Sequence, residues 1–361
     1  MKKMLLLFLL LGSHFCFAQF RNSIWCFGDS AGIDFNNINN PLPTYSLMDG
    51  RGTCVSIADS NGQLLFYAST RAGVSGGKST IIRNYTGNIM QNGDSIVGGG
   101  WYHELLIIPM PNDVSKFYLF SVGVTSFYGL FYSIIDITAD SGRGAITQKN
   151  IQVNNYSGVD AVAAVKHGNG RDWWLIFQKW DIPNNQFYKY LITPNGIIFN
   201  QVQAIGGIFS TNNANFTFFD NGSKILYTTF TGLVETMEFD RCTGLLYNEE
   251  IIEQEIIANP LKKYFGSVVS SNGSKIYLCS NSDTSYLIQF DLNAANIAGS
   301  KDTIFEFTNV LGEGGTLRLA PDHKIYLSNA WNDGVNYNYP YPTDSPSHNF
   351  INMNLSVINS P

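Results

Sequence analysis

Histidine and charge are both scarce in this chain. Five of 361 residues are His, and Asp, Glu, Lys and Arg together make up 14%. No basic run after the N-terminal segment is longer than Lys262-Lys263. That leaves out the clustered cations by which nucleic acid or an anionic membrane surface is held. No C-x-x-C spacing occurs and histidines are few, so a metal centre is not expected. Long apolar runs are missing as well. Met4 to Gly12 is too short to span a bilayer and nothing later approaches that length, so membrane insertion is not expected. No amphipathic helix of four turns is visible. There is no G-x-S-x-G elbow, no G-x-G-x-x-G after a strand and no Walker loop, so no cofactor is expected.

What is present is a repeated phrase: a turn of Asn or Asp, usually with Gly, followed by an aromatic and β-branched run. It stands at Asp59–Tyr67, Asn112–Phe120, Gly168–Ile176, Asp220–Tyr227, Ser271–Leu278 and Pro321–Leu327. With Gly62, Asp113, Gly170, Gly222, Gly273 and His323 as marks, the gaps are 51, 57, 52, 51 and 50 residues. A period of that size built of strands predicts a propeller. Each unit reads as four strands; in the fourth they are Asn215–Phe219, Lys224–Thr229, Leu233–Phe239 and Leu245–Ile251. One such sheet cannot cover both of its faces, and packing blade on blade solves that. The fold expected is all-β: a single closed β-propeller of four-stranded blades over residues 19–361. Six repeats are read, and residues 24–35 and 350–358 either complete the sixth blade or form a seventh.

Residues 1–18 read as a secretory signal peptide. Lys2 and Lys3 precede the apolar run, and Cys16-Phe-Ala18 places small residues before Gln19. Without those two lysines the net charge moves from −6 to −8. Export implies an oxidising compartment, so Cys26, Cys54, Cys242 and Cys279 are disulfide candidates. Cys26–Cys54 with Cys242–Cys279 is the most economical pairing, and buried free thiols are the alternative.

Propellers use the channel mouth, where loops enter the innermost strands. Counting back about nine residues from each mark gives Arg51, Thr53, His103, Glu104, Asp160, Asn213, Tyr264 and Glu313. This mixed ring suits a sugar or a peptide side chain; a solvated ring without a ligand is the plainer account. A His beside carboxylates suits a general base. Adjacent strand residues face opposite ways, however, so only one of His103 and Glu104 can face the channel. No catalytic residue is therefore assigned. Asp59-Ser-Asn-Gly62 and Asp220-Asn-Gly222 lack the further acids of a calcium loop and fit hairpin turns. Tyr337, Tyr339 and Tyr341 alternate with Asn and Pro in a loop suited to stacking on sugars or docking a partner.

Several phrases in order resemble a known family. Trp25-Cys-Phe-Gly-Asp-Ser-Ala-Gly-Ile-Asp-Phe35, Ser56–Tyr67, Met90-Gln-Asn-Gly93, Phe239-Asp-Arg-Cys-Thr-Gly244 and Gln289-Phe-Asp-Leu292 are similar to segments of secreted propellers from Bacteroidetes-type surface proteins. Those propellers precede PKD repeats and gliding-motility-associated, type IX secretion-linked C-terminal domains. Arg51-Gly52 departs from that family's Glu-Gly. The resemblance implies a monomeric, non-enzymatic binding or scaffold module, extracellular or at the outer cell surface, whose partner is a protein or a polysaccharide. The alternatives are a polysaccharide hydrolase or lyase using Asp160, Glu104 or Glu313 as acid and base, and a structural spacer.

Overall fold

The turn phrases owe their regularity to backbone geometry. Gly62, Gly170, Gly222, Gly273 and His323 all take left-handed φ angles, from 64° to 82°. A residue without Cβ reaches that region without cost, and His323 holds it at a cost of about 1 kcal/mol. Four of these turns close by a bond from the mark to the residue three before it: Gly62 N to Asp59 O, Gly170 N to His167 O, Gly273 N to Ser270 O and His323 N to Ala320 O. The next strand is thus turned straight back along the previous one.

The computed structural model describes residues 19–50, 52–71, 77–99, 103–124, 126–181, 184–255, 264–280, 285–307, 312–331 and 354–361. The proposed signal peptide, Arg51, and Tyr337, Tyr339 and Tyr341 lie outside the described residues. Seven antiparallel sheets form a ring, a seven-bladed β-propeller. Blade one is β1 (Ile24–Phe27), β2 (Asp29–Asp34) and β3 (Leu42–Asp49); blade two is β4 (Cys54–Ala58), β5 (Leu64–Thr70) and β6 (Thr80–Asn84). Blade three is β7 (Leu105–Pro109), β8 (Lys116–Val124), β9 (Tyr128–Asp136) and β10 (Ala145–Gln152). Blade four is β11 (Gly158–Lys166), β12 (Trp173–Lys179), β13 (Asn184–Thr193) and β14 (Gly196–Phe209). Blade five is β15 (Ala214–Phe219), β16 (Lys224–Thr229), β17 (Val234–Phe239) and β18 (Leu246–Glu253). Blade six is β19 (Tyr264–Val269), β20 (Lys275–Ser280), β21 (Ser285–Asp291) and β22 (Asp302–Phe307). Blade seven is β23 (Gly312–Leu319), β24 (Ile325–Trp331) and β25 (Ser356–Ile358).

Residues 24–35 open a sheet of their own, so of the two blade numbers left open the ring has seven. The expectation of four strands in every blade is corrected: among the described residues three blades have three. Among the described residues the chain ends do not pair in one sheet. Side chains close the ring instead: Tyr326 of blade seven meets Trp25 and Phe35 of blade one edge-on, with ring centres 5.9 and 5.6 Å apart. Elsewhere the core sits between blades. Val159, Ala161, Ala163 and Val165 of β11, for example, pack with Phe216, Tyr227 and Phe239 of blade five.

Candidate functional site

The first residues of the innermost strands meet at one end of the channel. His103 N donates to Asp160 O at 3.2 Å, and Val162 N to His103 O at 3.1 Å, so blades three and four are joined there by backbone. Glu104, the next residue, is buried on the other side. Its Oε2 accepts from Thr53 Oγ1 at 2.9 Å and its Oε1 from Thr70 Oγ1 at 2.5 Å, while its own N–H donates to Thr53 Oγ1 at 3.1 Å. The Glu104 carboxyl also shares a hydrogen bond with the Asp160 side chain. Burial raises the Glu104 pKa, and the Thr70 and Thr53 hydroxyls offset part of that rise.

His103 turns the other way, as strand alternation requires. Its ring reaches the backbone of Phe265 in blade six, on the far side of the ring. Its Nε2 is buried and has no hydrogen-bond partner among the described residues. Burial pushes the imidazole down to about 4, helped by the nearby Arg318 charge and opposed by the Phe265 bond. Neutral imidazole therefore faces the channel across the physiological range.

The rest of the expected ring is dispersed. Tyr264 is buried between blades and points outward, donating to Glu253 Oε2 at 2.6 Å and accepting from Lys301 Nζ at 3.1 Å. Asn213 is half-buried and its carbonyl accepts from Phe230 N at 3.0 Å. Glu313 lies on β23, opposite Ala330. Arg318 was missed from sequence although a signal existed. Five residues before the marks stand Ile57, Ile108, Val165, Thr217 and Val268; only the last repeat places a cation there.

The disulfide expectation is corrected too: Cys26, Cys54, Cys242 and Cys279 are all free thiols. Cys242 is exposed in a turn against Gly168 of blade four, whereas Cys279 is buried in blade six. Cys54 Sγ turns to the Gly52 carbonyl at 3.6 Å, and it packs with Cys26 in the apolar cluster of blades one and two without bonding to it. Burial pushes the Cys26, Cys54 and Cys279 thiols up to about 12.

No family model and no curated relative matches the chain. Solved structures match its shape. A candidate 6-phosphogluconolactonase from Bacteroides fragilis superposes with a TM-score of 0.52 at 11% identity, over 85% of this chain and 86% of that one. A candidate 6-phosphogluconolactonase from Bacteroides uniformis gives 0.52 at 12%, over 82% and 84%. The periplasmic gluconolactonase of Pseudomonas aeruginosa gives 0.46 at 11%, over 77% and 76%. At such identities the likeness establishes the fold. The two that superpose at 0.52 bear the names of lactonases, and on that finding the expectation of a non-enzymatic module is corrected.

Proposed function

We propose that the protein is a hydrolase acting on a small ester or lactone bound in the channel, with His103 as its general base. The observation that carries this reading is the buried, neutral Nε2 of His103, unpartnered among the described residues and set on the opposite face of its strand from Glu104. A base needs a free lone pair at working pH and a fixed direction. The Phe265 contact supplies the direction, and the backbone bonds from His103 to Asp160 and from Glu104 to Thr53 hold the strand that bears it. Nε2 takes a proton from water as the oxygen adds to the carbonyl carbon. The tetrahedral adduct then breaks its C–O bond and the same proton passes to the leaving oxygen. The lactonase names of similar folds favour carbonyl chemistry of this kind.

Glycoside cleavage by Glu104 and Asp160 is less well supported. Their carboxyls bond to one another, whereas glycosidases hold theirs about 5 Å apart or more, around the sugar. Export to the outer surface remains part of the proposal, on the strength of the N-terminal segment and the family resemblance.

The test is turnover on a panel of chromogenic esters and aldonolactones, followed by pH-stat. Wild-type kcat/KM should fall as pH drops through about 4, where His103 gains its proton. His103→Ala should lose at least about 100-fold in kcat with folding intact. A wild type inert on the whole panel, or a fully active His103→Ala, refutes the reading.

A further inference from the structure

Arg318 is the group that the hydrolytic step leaves unused. At the equivalent place in other blades, Ile57, Ile108, Val165 and Val268 pack against the following blade. Arg318 likewise faces the blade that follows, which is blade one. Its guanidinium carbon lies 5.0 Å from the centre of the Trp25 ring, and its Nη2 lies 3.4 Å from Asn22 Oδ1. That same oxygen accepts from Trp25 Nε1 at 3.0 Å. Stacking and one amide oxygen thus hold the cation in place, where a carboxylate would be the ordinary partner.

Arg318 forms no ion pair within 4 Å among the described residues, and the one titratable group that stabilises its charge is the Cys54 thiol. That thiol is neutral, since burial pushes it up to about 12. Desolvation lowers the guanidinium's pKa, while the residue as a whole stays open to solvent. Its charge also reaches His103. A guanidinium held by an aromatic ring and an amide oxygen, with no carboxylate paired to it among the described residues, favours a planar or tetrahedral oxyanion that accepts two parallel N–H bonds.

We propose that Arg318, held by Trp25 and Asn22, is an anchor for the oxyanion, carboxylate or phosphate, of a small anionic ligand in the channel. Insofar as this names the substrate class, anionic esters or lactones over neutral ones, it rests on the hydrolytic reading; the binding test does not.

Wild-type protein is titrated at low salt with D-galacturonate, inorganic phosphate and, as a neutral control, D-galactose, following tryptophan fluorescence. At least one anion should give a saturable response that Trp25→Phe diminishes, with D-galactose giving none. Galacturonate bound more tightly points to a sugar acid, and phosphate bound more tightly to a phosphorylated ligand. Arg318→Gln should weaken binding at least about tenfold, and added salt should weaken it in wild type. Should Arg318→Gln lose its circular-dichroism signature, Arg318→Lys keeps the charge without the fork and should still bind the carboxylate several-fold more weakly than wild type. Equal binding in wild type and the folded variant overturns the proposal. So does the lack of a saturable response to either anion up to about 50 mM, which is beyond a millimolar Kd. Anion binding without turnover of any substrate refutes hydrolysis alone.

Discussion

Glu235→Gln should make this protein more stable as pH rises. Glu235 lies on β17, fully buried between blades four and five. Its Oε2 accepts from Gly207 N at 2.6 Å, while its Oε1, the Gln178 amide and the Tyr227 hydroxyl are buried beside it. Burial pushes the carboxyl from 4.5 up to about 8, with the Glu249 charge adding to the rise and the Gly207 bond opposing it. The native state therefore holds a proton between those values that the unfolded chain has already released. Stability is complete below about 4.5 and falls as pH rises towards 8, by about 1.4 kcal/mol per pH unit, or at most about 5 kcal/mol in all. His103 acts in the opposite sense between about 4 and 6.5, because its native pKa is depressed. Groups common to wild type and variant, such as His103 and Glu104, cancel in the comparison, so between pH 6.5 and 8 the difference reads Glu235, about 2 kcal/mol. The amide of Glu235→Gln still accepts from Gly207 and never ionises. Wild type and variant are compared by thermal melting at pH 5, 6.5 and 8. The gap in Tm should widen in the variant's favour by several degrees between pH 6.5 and 8, at 2–4 °C per kcal/mol for a large domain. Parallel curves would refute the argument.

Phe35 is buried between Trp25 and Tyr326, 4.8 and 5.6 Å away, at the seam between the first and last blades. Phe35→Ala should cost about 3–5 kcal/mol in urea unfolding, and a loss below about 1 kcal/mol would show that the seam carries little stability. Maleimide labelling of the native protein should modify exposed Cys242 and spare Cys26, Cys54 and Cys279, whose thiols titrate near 12. A disulfide found by non-reducing mass mapping would overturn the free-thiol assignment.

Strand positions were legible because the period and the turns are local. Asp220-Asn-Gly222 forces a left-handed turn wherever it stands, and the strands read around it agree with β15 to β18 within a residue or two. Blade one escaped the count because its first hairpin turns at Gly28, outside the repeated phrase. The site was legible only in part, for a different reason. A fixed offset from each turn finds the residues that begin the inner strands, and it found Thr53, His103, Glu104 and Asp160. It cannot say which way a side chain leaves the strand, and so it also returned Tyr264, which is committed to Glu253 and Lys301 outside the channel. The same offset logic, applied as a test of composition rather than position, would have exposed Arg318. A lone cation in a column of Ile, Val and Thr has no place in an ordinary blade interface. It becomes intelligible only once the ring is closed and Trp25, nearly three hundred residues away in sequence, stands beneath it. It is the deviations between blades that direct experiment to the channel.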